Sequence, residues 1–155
     1  MAQSNKADDL SKILTEALEN LNRSEENNTK KLGSGDLTSP EVRLMECVSG
    51  NSGGCTVSML ASRLGVTLPT VTVSVNKLEK KGYLKKSKNA SDGRSVLITL
   101  TEKGVRATRL NEYFHEQMIF KVMGEFSPDE IENLCRSLRK LNSYIDTNEK
   151  EPPQK

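Results

Sequence analysis

Apolar residues recur three and four apart over most of this chain, and the main interruption is a basic stretch rich in β-formers between helices. Leu10, Ile13, Leu14, Ala17, Leu18 and Leu21 make the first stripe, predicting an amphipathic helix that runs to about Asn27. The polar RSEENNTKKLGSGDLTS ends in Gly33, Ser34 and Gly35 and predicts a linker or loop. Ser39-Pro40 with Glu41 marks a short helix whose inner face is Leu44, Met45 and Val48. Beyond the glycine-rich turn at 50–54, Val57, Leu60, Ala61 and Leu64 form another stripe, ended by Gly65. Thr67 as N-cap and Pro69 in the first turn open the next helix, with Leu68, Val71, Val75 and Leu78 inward. Gly82 closes it. YLKKSK and SVLITL then give two short strands around the turn NASDGR. Thr101 caps a further helix carrying Val105, Leu110, Phe114, Met118, Ile119, Val122 and Met123. Ser127-Pro128-Asp129-Glu130, a capping box with proline at the first helical position, opens the last one, striped by Ile131, Leu134, Cys135, Leu138, Leu141 and Ile145.

The centre of this order, from Thr56 to Leu100, is a helix, a turn, a second helix and a basic hairpin. On a helical wheel the outer face of the second helix holds Pro69, Thr70, Val73, Asn76, Lys77 and Lys80. It is small at its start and cationic at its end, which suits a helix whose first residues meet base edges while later lysines meet phosphates. The segments ASRLGVTLPTVTVSVNKLEKKGYL and SDGRSVLITLTEKG resemble the winged-helix core of MarR-type transcription regulators. Leu78-Glu79-x-x-Gly82-Tyr83, then Asp92-x-Arg94 and Leu-Thr-x-x-Gly, occur together in that order. Within the family the chain is similar to fatty-acid-synthesis repressors of the FabT group, in its TVT-x-S-hydrophobic-N helix, its Lys-Gly-Tyr exit and its Phe114-His115 pair.

The expected fold class is mainly α: a winged helix-turn-helix over 36–103 with a small β-hairpin wing, terminal dimerisation helices over 7–34 and 104–147, and flexible ends at 1–6 and 148–155. One small core is hard-pressed to cover both terminal stripes as well as the winged helix, which argues for burial against a partner. The resemblance implies a second copy. A two-fold dimer presents its recognition helices about one DNA turn apart, roughly 34 Å, so a pseudo-palindromic double-stranded DNA site is expected.

Charge sharpens the picture. At 155 residues the net charge is only +2, but it is segregated. Residues 1–55 carry six Lys and Arg against nine Asp and Glu, residues 56–106 ten against three, and the remainder seven against nine. The cationic segment is the helix-turn-helix and hairpin, and a concentrated patch rather than net charge governs attraction to phosphate. A lysine-rich solvated face is the bland alternative. Cys47, Cys55 and Cys135 are odd in number and lack CxxC spacing, which favours a reducing compartment. No apolar run approaches a membrane span and MAQSNKADD has no signal-peptide core, so a soluble cytoplasmic protein is expected, with no membrane partner.

Thr70, Val73 and Asn76 are the candidates for major-groove contact: threonine and valine methyls against thymine, asparagine against adenine. Lys77 and Lys80 are candidates for phosphate. The resemblance adds Thr72 as a phosphate contact, Arg94 as the wing residue that enters the minor groove, and Asp92 as the acid that positions it. Lys88 belongs to the same wing. A turn-forming Asp-Gly with an incidental arginine is the plain alternative.

No metal or catalytic site is expected: His115 stands alone, as a partly buried helix residue without ligand spacing, and no nucleophile-elbow motif is present. Redox sensing would need a reactive thiol. Cys47 and Cys135 are expected to be packed, and Cys55 to border an exposed turn without a cation to activate it. The family's ligand site lies between dimer helices and winged helix, and its apolar candidates here are Leu14, Leu18, Met45, Phe114, Met118 and Met123. Plain core is the competing reading for the methionines. The FabT-like resemblance implies a long-chain acyl group on acyl carrier protein as corepressor, with Lys85, Lys86 and Lys88 as a patch for that acidic carrier. No cofactor is expected otherwise. The alternatives are a regulator answering to another small ligand and a winged helix that binds protein instead of DNA.

Overall fold

The computed structural model describes residues 2–32, 35–88 and 96–149. In order these form α1 (Ala2–Lys31), α2 (Ser39–Ser49), α3 (Val57–Leu64), α4 (Leu68–Lys80), β1 (Leu84–Lys88), β2 (Val96–Leu100), α5 (Glu102–Gly124) and α6 (Pro128–Glu149). The chain divides into two compact units, Met1–Phe114 and His115–Lys155.

The first unit holds the core. Val42, Leu44, Met45 and Val48 of α2 pack with Leu60 and Ala61 of α3, Val71, Val75 and Leu78 of α4, and Tyr83, Leu84 and Ile98 at the root of the hairpin. Local signals place these elements. Thr56 caps α3 by accepting from the Met59 N–H, and Gly65 ends it at φ 66°, where a side chain would be strained. Thr67 accepts from the Thr70 N–H to start α4 only three residues later. That tight turn sets the angle between α3 and α4. β1 and β2 pair antiparallel, Leu84 opposite Leu100 through Lys88 opposite Val96. Cys55 adds a bridge to Ile98 with two backbone hydrogen bonds of 2.9 and 2.8 Å, so the strand after the wing is pinned to the loop before α3.

Thr101 caps α5 as its sequence position predicts: its hydroxyl accepts from the Gly104 N–H and donates to the Gly82 carbonyl at 2.6 Å. In the second unit the end of α5 is followed by a short turn and α6, whose capping box closes with Glu130 accepting from both the Ser127 N–H and hydroxyl at 2.8 Å.

Several expectations change. The first helix runs past Asn27, and residues 28–31 are helical rather than a linker. Asn, Glu and Lys tolerate a solvated helix, no breaker occurs before Gly33, and buried Thr29 and Leu32 fasten that end to the core. The N-terminal helix also takes in residues 2–6 and α6 extends to Glu149, so the chain ends are helical up to the limits of the described residues; residues 1 and 150–155 lie outside them. Leu68 is 52 % exposed, because the first turn of α4 overhangs the edge of the core. Cys55 is buried instead of exposed, sealed beneath the bridge to Ile98. Cys135 and His115 are exposed rather than packed, since nothing among the described residues covers their helix faces.

Candidate nucleic-acid interface

The inward stripe of α4 fixes what points outward. With Val71, Val75 and Leu78 buried, the helical period places Pro69, Thr70, Val73, Asn76, Lys77 and Lys80 on the open face, and all six are exposed. Val73 is 57 % exposed in the middle of this face. A β-branched apolar side chain held in water there has no role in the core. Thr70 shares its hydroxyl with Thr67 at 2.8 Å, so the first turn is held by a hydroxyl pair. The Thr72 hydroxyl donates to the Leu68 carbonyl at 2.9 Å, which keeps it close to the helix flank.

Asn76 is held from outside its own helix. Its Oδ1 accepts from the Lys86 ammonium of β1 at 2.5 Å, and the same ammonium meets Glu79 Oε2 at 2.6 Å. Lys86 is therefore neutralised within the molecule, whereas Lys77 and Lys80 of α4 and Lys85 and Lys88 of β1 are exposed. Neither the bond to Asn76 nor the ion pair with Glu79 has a local sequence signal. Asp92 and Arg94 lie outside the described residues.

The exit of α4 is fastened firmly. Lys81, its C-cap, places its ammonium on the Glu41 carboxylate at 2.8 Å and on the Asp36 carbonyl at 2.5 Å. Burial pushes the Glu41 carboxyl up, but hydrogen bonds from Lys81 and from the Thr38 N–H and hydroxyl, with the Lys81 charge, outweigh it and hold the pKa below the ordinary value. The Tyr83 hydroxyl donates to Asp36 Oδ1 at 2.9 Å, and the Lys103 ammonium lies 4.0 Å from the Tyr83 ring centroid. Cys47, half-buried beside Arg63, has its thiol pushed up by burial despite that guanidinium, which disfavours the reactive thiolate.

The six apolar residues proposed for an effector site are differently placed. Met45 is enclosed in the core, Phe114 packs partly against it, Leu14 is half-buried and Leu18 is exposed on α1. Met118 is half-buried and Met123 exposed in the second unit. Among the described residues no three His, Cys, Asp or Glu gather to hold a metal, and no helix is long and apolar enough to cross a membrane.

A short tri-helical core, an outward helix with small residues before lysines, and a pinned basic hairpin define a winged helix-turn-helix DNA-binding protein. The family model described as MarR family matches residues 37–96. The HTH-type transcriptional regulator SarZ of Staphylococcus haemolyticus is 31% identical over 108 residues, covering 70% of this chain and 71% of that protein. The uncharacterised HTH-type regulator YfiV of Bacillus subtilis is 29% identical over 117 residues, 75% of this chain and 72% of its own. Among solved structures, Streptococcus pneumoniae FabT in complex with DNA superposes with a TM-score of 0.85 at 30% identity, covering 91% of this chain and 98% of that one. The S. aureus MepR–DNA complex shares the fold at 21% identity and a TM-score of 0.72, over 86% of this chain and 96% of that one. The chain belongs to the MarR family of DNA-binding transcriptional regulators, which are not enzymes.

Proposed function

We propose that this regulator is a homodimeric repressor of fatty-acid-synthesis genes that reads a pseudo-palindromic operator and takes long-chain acyl carrier protein as corepressor. The observation that carries this reading is the likeness to FabT bound to DNA, which extends over nearly the whole of that chain rather than the winged helix alone. The dimer is supported by apolar residues left in water on one face of α1, Leu10, Ile13, Leu18 and Leu21, and of α6, Leu134, Leu138 and Ile145. Thr70, Val73 and Asn76 then face base edges, Thr72, Lys77 and Lys80 face phosphates, and Arg94, positioned by Asp92 and flanked by Lys88, enters the minor groove. An acyl chain strengthens DNA binding only if it binds the DNA-competent spacing of the two recognition helices more tightly than other spacings.

The test is fluorescence anisotropy on the DNA upstream of the protein's own gene, with and without acyl carrier protein bearing a long-chain acyl group. Tighter binding with the acylated carrier and no change with the unacylated one is the expected result. Specific binding indifferent to both would leave a MarR regulator of a different signal.

A further inference from the structure

Lys86 stands in β1 opposite the buried Ile98, on the same side of the strand as buried Leu84, because side chains alternate along a strand. Its stem therefore runs along the core side of the wing, and its ammonium emerges at α4. There it donates to Asn76 Oδ1 at 2.5 Å and to Glu79 Oε2 at 2.6 Å. Those two residues are neighbours three apart on one helix face, so a single cation bridges the wing strand to two points of the outer face. The side chains remain partly open, 31% for Lys86 and 40% for Glu79, so the cluster can be reached from outside the molecule.

An ammonium can only donate, so the atom of Asn76 turned to it must be the carbonyl oxygen. The amide Nδ2, with two N–H groups, has no partner among the described residues. We propose that Lys86 is a positioning residue for base reading: it sets Asn76 as a hydrogen-bond donor beside a cation, so that this position of α4 favours the oxygen acceptors guanine O6 or thymine O4 over adenine. The proposal rests on the reading of α4 as the recognition helix.

An unrestrained asparagine selects adenine by donating to N7 while accepting from N6 through its own Oδ1. Here that oxygen already accepts a charged bond. Its second lone pair is open, but an adenine amino group coming to it would bring its positive hydrogens against the ammonium. A carbonyl-type base oxygen is instead attracted by both the Nδ2 group and the cation, whose third N–H is unused by Asn76 and Glu79. Glu79 gives the ammonium a reason to stay on the helix instead of reaching for phosphate.

The experiment measures affinity for an operator half-site in which each base pair is changed in turn. It uses the full-length wild type, Asn76→Ala, Lys86→Met, Lys86→Arg and Glu79→Gln. The wild type is expected to prefer guanine or thymine at one pair, and Asn76→Ala to lose the preference there alone. Lys86→Met frees Oδ1 and is expected to move that pair toward adenine on the order of ten-fold, leaving the other pairs alone. Glu79→Gln, which loosens the anchor, is expected to move it the same way by less, and Lys86→Arg, which still donates to Oδ1, to keep the wild-type order. A uniform loss of affinity on Lys86→Met, with a salt slope lower by about 0.9 and the base order unchanged, would make Lys86 a phosphate contact and overturn the proposal. A wild type with no base preference at any pair removes the recognition-helix reading itself.

Discussion

The Glu41 carboxylate receives the Lys81 ammonium through both oxygens, at 2.9 and 2.8 Å, across 40 positions of sequence. Glu41 opens α2 and Lys81 closes α4, so the entry of one helix is tied to the exit of the helix that faces DNA. Only 8% of the Glu41 side chain is exposed against 27% for Lys81, which makes the carboxylate the member that depends on the pair. Asp36, Tyr83 and Lys103 extend the fastening to the root of the hairpin and the first turn of α5.

Removing Glu41 should therefore cost stability. Glu41→Ala leaves the Thr38 N–H without its acceptor and the Lys81 ammonium without its carboxylate, holding only the Asp36 carbonyl, and is expected to lower the unfolding free energy by about 1–3 kcal/mol, seen as a lower urea midpoint. The pH dependence has a definite sign. A depressed folded-state pKa means that the unfolded chain takes up the proton first as pH falls. The stabilisation is complete above the unfolded value of roughly 4.3 and is lost as pH drops through the folded value. Glu41→Gln should flatten the wild-type decline in stability across that acidic window; an unchanged decline would show that Glu41 is not its source.

Gly104 is expected to accept no side chain. A Cβ there would fall inside contact distance of the Tyr83 carbonyl oxygen, with the Leu100 side chain 3.0 Å away. That carbonyl also accepts from the Thr101 N–H at 3.0 Å, so moving it disturbs the start of α5 and the base of the wing together. Gly104→Ala should destabilise by about 1–3 kcal/mol despite alanine's better helix propensity, whereas Gly53→Ala, which meets nothing within 4 Å, should be nearly silent in thermal unfolding.

Such contrasts show which parts were legible in the sequence. Gly65, Thr67 and Pro69 specify the turn of the helix-turn-helix by local backbone chemistry, and the stripe of Val71, Val75 and Leu78 then fixes the outward face without knowledge of anything else. Residues 28–31 are polar enough to suggest a loop, although a helix needs only the absence of breakers and an anchored end. Thr29 and Leu32 provide that anchor. Cys135 lies on the apolar stripe of α6 and His115 beside Phe114 on α5, so periodicity alone suggests burial that the described residues do not supply. The ties of Lys86 to Asn76 and of Lys81 to Glu41 join residues 10 and 40 positions apart and have no periodic signature.

The exposed apolar faces of the terminal helices should be closed by a second copy. Light scattering at micromolar concentration is expected to give twice the chain mass for the wild type. Leu134→Glu combined with Leu138→Glu should give a monomer that keeps its helical circular dichroism and loses most of its affinity for a two-half-site DNA. A wild-type monomer would contradict the dimer outright.

The most direct measurement is anisotropy of a labelled duplex from the upstream region of the gene against a scrambled duplex, over a series of salt concentrations, for the wild type and for Lys77→Ala/Lys80→Ala. The expected result is a preference for the native duplex and affinity falling steeply with salt. The double variant should flatten that slope by about two on both duplexes while keeping the preference, since phosphate contacts carry no sequence information. Equal binding to the two duplexes, or a slope unmoved by the loss of both lysines, would contradict α4 as the element that reads DNA.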